Sequence, residues 1–349
     1  MKVAVRADAS AKIGSGHVIR TLTLADVLRA GGATVCFISR EFPGHLCDVV
    51  ENCGYPTIRL PDFAAAAPSF EEDAAQTSAR LAAEKLDWLI VDHYGLGQGW
   101  ETAMRCNAAR IMAIDDLADR DHDCDLLLDQ NFFTNAEARY LPHLPKGCVN
   151  LLGPRFALLR PQFAAARAVL RERGGGVKRV LIYFGGNDTT GETAKALRAL
   201  ARNSKSLAVD VVVGGHTPLK EEIGRLVAEF PAGRTFFYVE NMAELMSEAD
   251  LFVGTAGSAT WERCCLGLPS VVITTAANQI EPINHLAGCG VLLHAGHAGE
   301  LTEKQLAELL QRVMADAPLL RGFTTKSMEL VDGKGAERCA EQLALLSLQ

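Results

Sequence analysis

Short apolar runs alternate with longer stretches of helical period through most of the chain. In the first half, the runs at Val3–Ala7, Ala33–Ser39, Thr57–Leu60, Asp87–Asp92, Arg110–Asp115, Leu126–Leu128 and Val149–Leu152 predict strands. Between them, His17–Ala30, a segment near Pro43–Asn52, Phe70–Lys85 and Trp100–Ala109 predict helices, the first closed by Gly31-Gly32. Continuous apolar strands separated by helices imply a parallel sheet covered on both faces.

The pattern breaks at Arg171-Glu172-Arg173-Gly174-Gly175-Gly176, which reads as a linker or hinge. It then restarts, with strands at Arg179–Phe184, Ala208–Val213, Phe236–Val239, Leu251–Val253 and Ser270–Thr274. Helices are expected near Thr190–Arg202, Leu219–Glu229, Met242–Glu248 and Ala259–Leu266, and in the tail at Glu303–Ala315 and Ala336–Leu346. The expected fold is α/β, with two Rossmann-like doubly wound parallel-sheet domains at 1–172 and 173–349. The last helices are candidates to pack back on the first domain. Ligands of such sheets sit outside the carboxyl ends of the strands, here in a cleft expected between the domains.

Bulk properties narrow the function. The 349 residues suffice for two ordinary domains, and 48% hydrophobic with 22% charged residues predicts a packed core. A net charge of -7 gives no general attraction to nucleic acid or an anionic membrane. No signal-peptide core or membrane-length apolar run is present, and the 10 cysteines are scattered, as in a reducing cytoplasm. No metal-ligand spacing recurs; Asp121-His122-Asp123-Cys124 reads as a solvated loop ahead of a strand. No cofactor is called for.

The chemistry-bearing residues fall where predicted strands end. Ile13-Gly14-Ser15-Gly16-His17 joins the first strand to the first helix. It is not a dinucleotide fingerprint: the third glycine is missing, and Arg20 stands where a small residue is wanted. A helix start favours the neutral form of His17, which can accept a proton. A lone histidine there also serves as a cap; the Gly-x-Gly setting favours catalysis. The turn Gly185-Gly186-Asn187-Asp188 suits a phosphate or an ordinary helix cap. Gly257-Ser258-Ala259-Thr260 suits a diphosphate, and Glu262, about one turn further on, suits the two hydroxyls of a ribose or a helix dipole. Asn278-Gln279 offers neutral donors and acceptors for sugar hydroxyls or acetamido groups. Asp92-His93-Tyr94 and Asp115-Asp116 end strands of the first half, where carboxylates orient an imidazole, bind sugar or cap helices. No Gly-x-Ser-x-Gly elbow accompanies them, which disfavours acyl chemistry.

Together these strings resemble the GT-B glycosyltransferase architecture. More narrowly, Arg6-Ala7-Asp8 followed by Ile13-Gly14-Ser15-Gly16-His17-Val18-Ile19-Arg20 resembles the UDP-sugar hydrolases of pseudaminic acid biosynthesis and the related spore-coat polysaccharide proteins. That resemblance implies hydrolysis of UDP-2,4-diacetamido-2,4,6-trideoxy-β-L-altropyranose to free sugar and UDP. It implies a metal-independent, inverting enzyme, with His17 as the base that activates water. It assigns the sugar to Asp8, Gly14, Gly16, Arg20, Asp92, Tyr94, Asn278 and Gln279. It assigns UDP to Gly185, Gly186, Asn187, Asp188, Gly257, Ser258, Ala259, Thr260 and Glu262. The chain is long for that family, with extra residues after Gln279. Alternatives from the same architecture are a glycosyltransferase, in which His17 deprotonates an acceptor hydroxyl, and a UDP-sugar 2-epimerase, which the opening fits less well. A non-catalytic nucleotide-sugar-binding protein is the alternative of another class.

Overall fold

Both expected sheets form, and every strand pairing in them is parallel. The computed structural model describes residues 1–10, 12–63, 68–81, 85–174, 176–185, 188–214, 217, 219–237, 239 and 241–348. The chain divides into two units, Met1–Arg160 with Lys334–Gln349, and Pro161–Gly333.

The first unit runs β1 (Lys2–Ala7), α1 (Gly16–Ala30), β2 (Thr34–Arg40), α2 (Cys47–Asn52), β3 (Thr57–Leu60), α3 (Phe70–Leu81), β4 (Leu86–Asp92), α4 (Gln98–Met104), β5 (Ala108–Ile114), β6 (Leu126–Asp129), α5 (Ala136–Tyr140) and β7 (Val149–Leu152). Its sheet has seven strands in the order β3-β2-β1-β4-β5-β6-β7. Alternate residues of β1 and β4 enter opposite cores: Val3, Val5, Trp88 and Ile90 pack under α1, whereas Ala4, Leu89 and Val91 face α3 and α4. The strand order reverses between β1 and β4, with Ala7 level with Asp92. That reversal opens a crevice at the strand ends, the usual ligand position of a doubly wound sheet.

The second unit runs α6 (Pro161–Ala168), β8 (Arg179–Tyr183), α7 (Glu192–Asn203), β9 (Ala208–Val212), α8 (Lys220–Val227), β10 (Ala232–Phe236), α9 (Met242–Glu248), β11 (Leu251–Gly254), α10 (Ala259–Cys265), β12 (Ser270–Thr274), α11 (Ile280–Gly288), β13 (Leu293–His297), α12 (Glu303–Ala315) and α13 (Ala317–Leu330). Its six strands lie in the order β10-β9-β8-β11-β12-β13, which reverses between β8 and β11. A final helix, α14 (Gly335–Ser347), belongs to the first unit and packs on α1, burying Cys339, Leu343 and Leu346 in its core. Only this last helix does so; α12 and α13 stay with the second unit.

Several local expectations shift. The stretch at 171–174 is docked on the second unit rather than loose: Arg171 pairs with Asp250, and buried Arg173 donates to the carbonyls of Met246, Ala249, Leu266 and Gly267. Strand β10 lies earlier than the aromatic run at 236–239 suggested, because an edge strand needs no continuous apolar stretch. For the same reason β13, with glycine and two histidines, escaped the apolar pattern. Helix α4 ends at Met104, and after a turn at 105–107 β5 begins at Ala108.

Candidate active site

The turn after β1 is closed by its own backbone. The Gly14 amide donates to the Ser10 carbonyl at 2.8 Å, and Ser10 Oγ accepts from the Lys12 and Ile13 amides. Gly14 has φ of +85°, a left-handed conformation that a side chain would strain. Helix α1 begins at Gly16, no side chain caps it, and its first turn carries no acidic residue.

His17 is buried against the end of β4. Its Nδ1 lies 2.6 Å from Oδ1 of Asp92, a fully buried residue. An ionised carboxylate only accepts, so Nδ1 carries a proton, and in the neutral imidazole the lone pair is then on Nε2. Among the described residues Nε2 has no hydrogen-bond partner. Arg20, one turn along the helix, grips the same carboxylate from Nε and Nη2, both at 2.6 Å. Burial alone would raise the Asp92 pKa, but Arg20 and His17 outweigh it and hold it well below the usual carboxylate range. Burial acts against the Arg20 charge too, and Asp92 and Asp116 overcome it. The Tyr94 ring meets the His17 ring edge-on at 4.7 Å, and its hydroxyl donates to Asp116 Oδ2 at 3.3 Å. Burial, then the Asp116 charge, pushes the Tyr94 pKa up, keeping it a neutral donor.

The strand-end carboxylates Asp92, Asp115 and Asp116 thus differ. Asp92 orients the imidazole. Asp116 supports Arg20 at 3.4 Å and Tyr94. Asp115 ties down its own loop, accepting from the Ala118 amide and Tyr140 and pairing with Arg120. Arg20 and Asp92, expected at the substrate, bond each other, and Asp92 also bonds His17. Asp8 is likewise only 1% exposed, with its carboxylate taken by Arg6, the Arg40 amide, Ser39 and His93.

The pattern did not reveal that second cluster. Arg6 bridges Asp8 and Asp73, Arg40 also binds Asp73, and Trp100 donates to it at 2.9 Å. The available signal was an arginine inside the otherwise apolar β1. His93 rests on this cluster. Its Nδ1 accepts the Gly95 amide at 3.0 Å and its Nε2 faces Asp8 at 3.4 Å, so both nitrogens are engaged, unlike those of His17. A cavity of about 690 Å³ opens beside it, walled by Ile13, Phe42, Tyr94 and Leu96 with Lys12 at its rim.

In the second unit, Gly186 and Asn187 lie outside the described residues. Gly185 is left-handed at φ +83°. Asp188, also left-handed at φ 35°, accepts the Glu192 and Thr193 amides at 3.2 and 2.9 Å and so caps α7. At the end of β11, Gly254 approaches β8 so closely that a Cβ would collide with the Tyr183 carbonyl. Gly257 and Ser258 are exposed, Ala259 and Thr260 buried, and Glu262 half-buried. Gln279 Oε1 accepts from the Thr275 amide and Thr255 Oγ1, tying the turn after β11 to that after β12. Its amide nitrogen is left for other partners, and Asn278 is exposed. Among the described residues, no group of three or more His, Cys, Asp or Glu is arranged to hold a metal ion, and no helix is long and apolar enough to cross a membrane. His122 of the acidic loop instead binds Glu101 at 2.8 Å.

Two parallel sheets with the same reversal, each carrying its polar turns at the switch point, define a pair of Rossmann-like domains of the GT-B class. The solved structure of Acinetobacter baumannii MurG has this fold, with a TM-score of 0.68 at 17% identity, covering 98% of this chain and 99% of that one. Residues 190–336 match the glycosyltransferase family 28 C-terminal domain. Among curated proteins, the chain is similar to the UDP-2,4-diacetamido-2,4,6-trideoxy-β-L-altropyranose hydrolase of Campylobacter jejuni, at 26% identity over 291 residues, 83% of this chain and 97% of that protein. It is 27% identical over 188 residues to the spore coat polysaccharide biosynthesis protein SpsG of Bacillus subtilis, 53% of this chain and 55% of that one. An uncharacterized Methanocaldococcus jannaschii protein, MJ1062, is 24% identical over 279 residues; the match takes in 78% of this chain but only 55% of that relative.

Proposed function

We propose that the protein is a cytoplasmic, metal-independent nucleotide-sugar hydrolase of pseudaminic acid biosynthesis. Its substrate is UDP-2,4-diacetamido-2,4,6-trideoxy-β-L-altropyranose, cleaved to the free sugar and UDP. The observation that carries this reading is the buried Asp92–His17 pair, with Arg20 fixing the carboxylate and Nε2 left as an acceptor. The Campylobacter relative's stated activity supports it.

His17 Nε2 takes a proton from water as the oxygen attacks the anomeric carbon. The bond from that carbon to the UDP oxygen breaks, and its electron pair leaves with the diphosphate. Attack opposite the leaving group inverts the anomeric centre. Glycoside hydrolysis ordinarily requires an acid to protonate the leaving oxygen. UDP departs as a stabilised anion, so one base suffices. The Asp92 charge stabilises the imidazolium as it forms, and general-base assistance is worth about 10²–10⁴-fold. Tyr94, Gly14, Gly16, Asn278 and the Gln279 amide bind the sugar, whereas Asp8, Asp92 and Arg20 act through the residues they hold. Gly185–Asp188 and Gly257–Glu262 hold UDP, with Glu262 on the ribose.

The test is product analysis with a panel of UDP-diacetamido sugars in water and a chelator. UDP release without any acceptor, accompanied by free sugar, supports hydrolysis. Release only when an acceptor alcohol is added would make the protein a glycosyltransferase. UDP binding without turnover on the whole panel would make it a binding protein.

A further inference from the structure

Arg263 stands apart from the other buried arginines. Arg6, Arg20 and Arg40 each pair with a carboxylate, and Arg173 is met by carbonyls on all three guanidinium nitrogens. Arg263 is 1% exposed and, among the described residues, makes no ion pair with a carboxylate, although the charge of the adjacent Glu262 favours its protonated form. Its side chain leans toward the start of α10, as helical side chains do, and so reaches the turn after β11. Nη1 donates to the Thr255 carbonyl and Nη2 to Thr260 Oγ1, each at 3.1 Å. Nε is buried without an acceptor, and the guanidinium lies 4.1 Å from the centre of the Phe252 ring. Burial pushes its pKa down to about 10, which still leaves it charged at neutral pH.

A buried cation lacking a counter-ion is costly to a fold unless something else repays the desolvation. The exposed residues of this turn, Gly257 and Ser258, leave open space above it, and a Cβ on Gly257 would meet nothing within 4 Å. By drawing the Thr255 carbonyl to itself, Arg263 also removes one oxygen that would repel an anion. On the reading above, in which this turn holds UDP, we propose that Arg263 is the fixed positive charge that selects a nucleoside diphosphate there. It acts as a positioning residue, through the turn and through its field, without leaving the protein interior.

The experiment compares the affinities of uridine, UMP and UDP for the wild type, R263Q and R263K. Charge selection predicts that R263Q loses about tenfold or more for UDP, less for UMP and under about twofold for uridine. R263K, which keeps the charge, retains the preference for UDP over uridine within about threefold. An equal loss for all ligands in R263Q would make Arg263 a mere brace of the turn and overturn the proposal, as would no loss. Should R263Q fail to fold, R263K decides alone: a collapse of its UDP preference overturns the proposal. A wild type that binds no UDP would instead overturn the function proposed above.

Discussion

Replacing Asp92 by Asn tests how the imidazole is set up. Arg20 donates from Nε and Nη2 to different oxygens of Asp92, so the Asn amide accepts only one of these bonds; in the orientation that tests the tautomer its oxygen stays on Nε. The amide NH₂ would then face His17 Nδ1, 2.6 Å away in the native pair. A donor there forces the proton onto Nε2, so the lone pair points at the amide and not at water. A buried Asp–His pair altered this way elsewhere loses about 10⁴ in kcat, or about 5 kcal/mol of transition-state stabilisation. Stability falls as well. Removing one partner of a buried ion pair costs about 3–5 kcal/mol, an upper figure here because Arg20 keeps its contact with Asp116 at 3.4 Å. The assay is UDP release at a temperature where the melting curve shows D92N folded, with UDP affinity measured in parallel. The expected result is a kcat loss of about 10³-fold or more with UDP affinity within about threefold of wild type. A folded D92N with turnover within about threefold of wild type would refute the tautomer argument.

Two further outcomes follow from buried carboxylates. Asp129 is 1% exposed, and burial lifts its pKa to about 7 from an ordinary value of 3.8. Between those values the folded chain keeps a proton that the unfolded chain has lost, so stability falls as pH rises through that window and levels off above it. The whole drop is at most about 4 kcal/mol, and D129N should flatten it in urea unfolding at about pH 5 and about pH 8; an unchanged slope would count against the burial argument. At the α7 cap, D188A loses the bonds from the Glu192 and Thr193 amides and should cost about 1–2 kcal/mol, whereas D188N keeps an acceptor and loses little. Equal melting temperatures for D188A and wild type would argue against the cap.

The central strands were legible because a parallel sheet buries both faces of each strand. Asp87–Asp92 and Ser270–Thr274 have unbroken apolar centres for that reason, and Val3–Ala7 is interrupted only by Arg6. Edge strands have no such requirement, and β10 and β13 were misplaced or missed accordingly. His17 was legible at a helix start and Asp92 at a strand end, but which carboxylate orients the imidazole was not, since that needs the register that sets Ala7 beside Asp92. The same limit hid the Arg6–Asp8–Asp73–Arg40 cluster, whose members come from β1, the turn after it, α3 and β2. Nothing in the sequence pattern marks Arg263, a charged residue of a short helix. Only its burial and lack of a carboxylate distinguish it.

The most direct test of His17 as a water-activating base is hydrolysis of the UDP-diacetamido sugar in ¹⁸O-water by wild type and H17F, followed by NMR and mass spectrometry. The wild type should place ¹⁸O on the anomeric carbon of an inverted free sugar and leave UDP unlabelled. H17F should bind UDP normally and turn over about 10²-fold or more slowly. Label in the UDP phosphate, retention at the anomeric centre, or near-normal turnover by H17F would contradict it.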